Sequence, residues 1–197
     1  MKLGIDLDGV LARFETKVVE IVNKLWPGRL PWDYVPQNWN YTDVLSAEDW
    51  DKIWIEIKQT PNFWGSLKGY VDNIRSLQGF FNYNPAFDAY FITSRVETAG
   101  NSPLAQSFQW LQERYLAPRN GHSAIIAVSD AKMKAQVIQA LKIPYFLDDY
   151  APTVEQLNNL DGFRPQAFVL DRPWNRYAAN LPRVFSVAEY LKIVKSL

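Results

Sequence analysis

The chain has 197 residues, no cysteine, one histidine (His122), and 21 basic against 21 acidic side chains. These totals exclude thiol nucleophiles, thiolate zinc sites, disulfides and iron–sulfur clusters, and any Ser-His-Asp triad or two-histidine metal site would rest on His122 alone. At 48% hydrophobic and 15% aromatic the chain can bury the core of one domain, or of one domain with an insertion, and zero net charge argues against a nucleic-acid polymer or an anionic membrane as partner. In chain order, residues 2–7 read as a strand and 11–25 as a helix, with apolar positions at 11, 14, 18, 21, 22 and 25. Residues 87–93 form a second strand, followed by a helix over 103–116. A third strand at 124–128 precedes a helix over 131–141. A fourth, at 145–147, precedes a helix over 152–160. Residues 166–170 make a fifth strand, and a helix over 187–194 closes the series. Such alternation predicts a parallel, Rossmann-like α/β sheet with helices on both faces.

One stretch breaks the rhythm. The first two strands are about 80 residues apart, whereas a strand–helix–strand unit needs roughly 30. The excess, residues 26–68, holds six of the eight tryptophans (Trp26, Trp32, Trp39, Trp50, Trp54 and Trp64) and the prolines Pro27, Pro31, Pro36 and Pro61. Within it, residues 46–58 predict a helix opened by Ser46, with Asp49 placed for a capping box. The expected organisation is an α/β core of residues 1–25 and 69–197 with a small, mainly helical, aromatic-rich cap at 26–68, inserted after the first strand and helix. For most of these tryptophans packing within a minor core is the better account, since aromatics are chiefly packing material.

The chemistry concentrates at the strand ends. Ile5-Asp6-Leu7-Asp8-Gly9-Val10 closes the first strand, and ligands of parallel sheets bind beyond the carboxyl ends of strands. Two like charges 4 Å apart cost on the order of 4 kcal/mol at an effective dielectric near 20, so a cation or a retained proton must offset Asp6 and Asp8. A structural or calcium-binding turn is the plain alternative, but the spaced ligands of an EF-hand are missing. The second strand ends in Thr93-Ser94-Arg95 and the fourth in Leu147-Asp148-Asp149, with Lys134 at the start of the intervening helix. Singly, these read as a turn signal, a helix cap and a surface lysine. Together they converge on one edge of one sheet.

Asp6-Leu-Asp-Gly-Val, Ile92-Thr-Ser-Arg, and Lys134 fourteen residues before Asp148-Asp149 resemble the four-motif signature of the haloacid dehalogenase-like hydrolases. Within that superfamily the chain is most similar to the 5′(3′)-deoxyribonucleotidases, through Phe14 eight residues beyond Asp6, the cap position, Asn62-Phe-Trp-Gly-Ser-Leu, and Asp171-Arg-Pro-Trp-Asn. The resemblance implies a Mg²⁺-dependent phosphomonoesterase of nucleotide metabolism, acting on (deoxy)nucleoside monophosphates through an aspartyl-phosphate. Asp6 would be the nucleophile and Asp8 the general acid and then base. Thr93 and Ser94 would bind the phosphoryl oxygens, with Lys134 neutralising their charge. Mg²⁺ would be held by Asp6, Asp8 through its carbonyl, and Asp148 or Asp149. Phe14, with Trp39 and Tyr41 as further candidates, would stack on the base. Arg95 would reach the phosphate or form a surface pair, and Asp171-Arg172 would border the site or form a local pair.

Competing expectations are a phosphatase of another small phosphate (a sugar phosphate or a nucleic-acid 3′ end), a non-catalytic nucleotide-binding module, and an interaction domain docking through its tryptophans. His122 is expected in a surface loop. The first residues, interrupted by Asp6, lack the apolar run of a signal peptide, and no run is long enough for a bilayer, so the expected location is the cytoplasm. The sequence carries no signal for an oligomeric state.

Overall fold

The computed structural model describes residues 1–117 and 123–196. Its centre is one six-stranded sheet, built from β1 (Lys2–Ile5), β2 (Asp88–Ser94), β3 (Ala124–Val128), β4 (Tyr145–Asp148), β5 (Gln166–Leu170) and β6 (Arg183–Val184). The order is β3-β2-β1-β4-β5-β6 with every pair parallel. The chain therefore builds outward from β1 in one direction through β3, returns to the other side of β1 with β4, and continues to β6. That reversal is a topological switch point, where the connections leave a crevice above the strand ends.

Both faces of the sheet are covered, because adjacent residues of one strand enter different apolar clusters. Phe91 packs with Leu3, Ile5, Leu147 and Tyr190, while its neighbour Ile92 packs with Ile138, Phe146, Val154 and Val169. The helices are α1 (Phe14–Leu25), α2 (Ala47–Gln59), α3 (Val71–Tyr83), α4 (Pro103–Gln112), α5 (Ala131–Ala140), α6 (Ala151–Asn158) and α7 (Val187–Ser196). Helix α2 opens as its sequence dictates: Ser46 Oγ accepts from the Asp49 N–H at 3.2 Å and Asp49 Oδ2 accepts from the Ser46 N–H at 3.0 Å, an arrangement worth about 1 kcal/mol. Helix α4 is started by Ser102 and Pro103, and α5 by Asp130, whose Oδ1 accepts from the Lys132 N–H at 2.6 Å.

Three features depart from the sequence expectation. Helix α3 and the two-residue β6 were not expected. Helix α1 begins at Phe14 rather than at residue 11, because residues 8–12 are held in a tight loop. The Gly9 N–H donates to the Ala12 carbonyl, and Ala12 bridges to both Asp8 and Gly69. His122 lies outside the described residues. No helix among the described residues is long and apolar enough to cross a membrane.

Candidate active site

The strand ends flanking β1 carry the polar groups, and backbone pairing places them. The Asp6 N–H continues the ladder onto the Leu147 carbonyl at 2.9 Å, so Asp6 is carried to the level of Asp148. Lys134, reaching in from α5, closes the gap, with Nζ 3.0 Å from Asp6 Oδ1 and 2.8 Å from Asp148 Oδ2. All three side chains are buried, as is Asp149. The second oxygen of Asp148 accepts from the Tyr150 N–H at 2.8 Å. Asp149 Oδ2 accepts from the Trp174 indole at 2.8 Å, while its Oδ1 is buried with no partner.

One lysine faces three buried carboxylates, and the electrostatics reflect the mismatch. Burial pushes the Asp6 carboxyl up to about 8; the Lys134 ammonium opposes this, and the charges of Asp148 and Asp8 add to it. Burial likewise drives Asp149 well above the usual carboxylate range, reinforced by the charges of Asp148 and Asp6. Burial works against the Lys134 charge, but Asp148 and then Asp6 outweigh it and raise its pKa. Oxygens of Asp6, Asp148 and Asp149 lie within 4.8 Å of one another. A hard, all-oxygen, doubly charged cation fits this donor set, supplying the missing positive charge and a partner for the orphaned Asp149 Oδ1.

Asp8 is handled separately. Its carboxylate turns away from the lysine cluster and takes Arg95 Nε at 2.9 Å and Thr93 Oγ1 at 3.2 Å on Oδ2, and Arg95 Nη2 at 2.7 Å on Oδ1. Arg95 is neither a surface residue nor free: its side chain is fully buried, and Nη1 donates to Ser107 Oγ at 2.8 Å. Ser94 Oγ is buried without a partner, and Ser94 lines the cleft above.

That cleft, about 560 Å³, lies over Asp8, Gly9, Ser94 and Asp149 and is walled by Phe14, Trp39, Tyr41, Trp50, Trp54, Trp64 and Trp174. Phe14 is half-buried, its ring stacked 6.3 Å from Trp54 and 6.0 Å from Trp64. Tyr41 is almost fully buried, edge-on to Trp50 at 5.4 Å. Trp39 is exposed on one side and packs 4.5 Å from Tyr150, joining the tryptophan-rich segment to the loop after β4.

Several contributors owe their contacts to strand order rather than to local sequence. Trp174 and Asn175 reach Asp149 only because β5 is the neighbour of β4; Asn175 Nδ2 donates to the Asp149 carbonyl at 2.8 Å. Arg172 Nε donates to the Gly9 carbonyl at 2.8 Å and so borders the loop under the cleft, while Asp171 pairs with Arg176 and Arg183. Gly9 adopts φ +77°, and a Cβ there would sit 2.0 Å from Asp149 Oδ2. Gly9→Ala is therefore expected to lower the unfolding free energy by about 1–3 kcal/mol. Denaturant titration checks this, and an unchanged midpoint would mean that Asp149 has room to yield.

Against known proteins, the sequence model of the family 5′ nucleotidase, deoxy (Pyrimidine), cytosolic type C protein matches residues 1–197. No match was found among curated proteins. Among solved structures, the L-2-haloacid dehalogenase of Xanthobacter autotrophicus superposes with a TM-score of 0.59 at 12% identity, over 100% of this chain and 98% of that one. A candidate beta-phosphoglucomutase from Thermotoga maritima gives 0.51 at 15% identity, over 100% and 99%. A hydrolase from Streptococcus pneumoniae TIGR4 gives 0.50 at 12% identity, over 98% and 97%. At these identities the likeness is one of fold.

Proposed function

The chain belongs to the family 5′ nucleotidase, deoxy (Pyrimidine), cytosolic type C protein, a family of phosphoric monoester hydrolases, and from that premise we propose a Mg²⁺-dependent dephosphorylation of (deoxy)nucleoside monophosphates through an aspartyl-phosphate. The observation that carries the reading is the buried Asp6–Lys134–Asp148–Asp149 cluster, which meets an aromatic-walled cleft at Asp149. Asp6 is the nucleophile, attacking phosphorus while Lys134 balances its charge and that of the phosphoryl oxygens. Asp8 gives a proton to the departing ester oxygen and then takes one from the water that hydrolyses the intermediate. Ser94 donates a hydrogen bond to the phosphoryl oxygens, and its unpartnered hydroxyl supports this role; Thr93, expected beside it, is not assigned to them, because its hydroxyl donates to Asp8 Oδ2.

Asp6, Asp148 and Asp149, with the Asp8 carbonyl, would hold Mg²⁺, which when bound supplies positive charge to the transferring group. Residues 26–68 act as the cap over a core of residues 1–25 and 69–197, and cap residues Trp39 and Tyr41 complete with Phe14 the wall against which the base stacks. Arg95 is not assigned to the phosphate, because its guanidinium is committed to Asp8 and Ser107. We place the protein in the cytoplasm on the family's description as cytosolic.

The test is phosphate release from a panel of 5′- and 3′-mononucleotides and sugar phosphates, with and without Mg²⁺. Faster turnover of sugar phosphates than of every nucleotide would overturn the substrate assignment. Phe14→Ala is expected to raise KM for nucleotides by about 5- to 150-fold, the worth of one base-stacking contact. A small aryl phosphate should feel a smaller change, and an equal rise on both would remove Phe14 from base recognition.

A further inference from the structure

We propose that Arg95 is a positioning residue for Asp8: a fixed fork that aims the general acid at the leaving oxygen. The inference rests on the proposed role of Asp8 and adds a residue to it. The strand register brings the two together, since Arg95 directly follows β2 and Asp8 follows β1, and Arg95 also donates its N–H to the Val128 carbonyl at 2.8 Å. The guanidinium has no freedom of its own. One edge is tied to Ser107 Oγ of α4, which in turn donates to the Pro103 carbonyl at 2.6 Å, and the cationic carbon lies 5.0 Å from the centre of the Trp64 ring. The side chain is fully buried, whereas that of Asp8 retains 16% exposure toward the cleft.

A two-point contact between a planar guanidinium and a carboxylate fixes orientation as well as distance, which a lysine cannot do. The distribution of donors then distinguishes the two oxygens of Asp8. Oδ2 takes two, Arg95 Nε and Thr93 Oγ1; Oδ1 takes one, Arg95 Nη2. Each carboxylate oxygen offers about two lone pairs, so Oδ1 is the atom left to carry the proton. In the first step the bond from an Asp6 oxygen to phosphorus forms and the bond from phosphorus to the ester oxygen breaks. The proton on Asp8 Oδ1 passes to that departing oxygen.

The experiment reads that proton. A nucleoside leaves as a poorly stabilised alkoxide and needs it; p-nitrophenolate leaves without it. In single-turnover assays with Mg²⁺ present, Arg95→Ala is expected to slow nucleoside release by about 100-fold, the scale of one general-acid contribution. Release of p-nitrophenol should change by less than about fivefold, and added guanidinium should restore part of the nucleotide rate. Arg95→Lys should recover less than guanidinium does, because it offers a point charge rather than a fork. Ser107→Ala, which loosens the fork and keeps the charge, should slow nucleotides alone, by about 3- to 10-fold. It also serves where Arg95→Ala fails to fold.

Equal losses on both substrates, or a gain on nucleotides, would overturn the proposal. Asp8→Asn run alongside separates the two levels of the argument. If Asp8→Asn distinguishes the substrates and the Arg95 and Ser107 variants do not, the positioning role fails alone. If Asp8→Asn also slows both equally, the reading of Asp8 as the acid fails.

Discussion

Asp6→Asn is expected to reduce phosphate release by at least about a thousandfold, since the amide is a poor nucleophile and the two-step route through a covalent intermediate closes. The fold should survive. Lys134 keeps its 2.8 Å contact with Asp148, and an amide replaces a buried carboxyl that burial and its neighbours' charges already hold toward the neutral form. The unfolding temperature is therefore expected to hold or rise, while turnover falls. A variant that keeps more than about 1% of the parent rate would remove Asp6 from the nucleophile's role. One that unfolds at a markedly lower temperature would instead show that the charge is needed for folding.

Lys134→Met tests the opposite side of the same balance. Removing Lys134 takes the cation from between Asp6 and Asp148 and leaves both buried without it, a loss of about 3–5 kcal/mol at neutral pH. The pH dependence has a definite sign. Asp6 is raised from an ordinary 3.8 to about 8, so between those values the folded protein keeps a proton that the unfolded chain has released. Without a divalent cation, the contribution of Asp6 to stability is thus greatest below about pH 4 and is lost as pH rises through about 8. Thermal unfolding in a chelator should show this decline in the parent protein, and more steeply in Lys134→Met. Added Mg²⁺ should offset it most at the alkaline end, by binding the folded state. Unfolding temperatures that are flat between pH 5 and 8 in chelator would contradict the charge mismatch on which the cation site rests.

Much of this arrangement was legible before the structure, for identifiable reasons. The strands at 124–128 and 166–170 coincide with β3 and β5 because short β-branched and apolar runs stand between clear breakers. The capping box at Ser46 placed α2 to within a residue. Helix α3 escaped because Tyr70 offers no side-chain cap and Gly79 interrupts its apolar stripe. β6 escaped because it is two residues long and owes its pairing to β5.

In the site, the carboxylates and Lys134 were marked by motif and strand end. The partnership of Asp8 with Arg95 was not, since it joins residues 87 apart through the adjacency of β1 and β2. The same holds for Trp174 and Asp149, which meet across β4 and β5. Local pattern locates the chemistry-bearing groups; strand order decides which of them touch.

The position of β1 has a consequence for how the protein comes into being. β1 is a central strand, and its partner on one side, β4, begins only at Tyr145. Even then its backbone is not fully engaged, because the Gly4 carbonyl accepts a hydrogen bond from the Tyr190 hydroxyl at 3.2 Å. Such long-range closures make folding slow relative to a chain of local contacts. On the ribosome the apolar Leu-Gly-Ile stretch can pair with β2 once Ser94 has emerged, but its other edge stays open until β4 follows. Asp6 thus leaves the ribosome well before Lys134, its counter-charge.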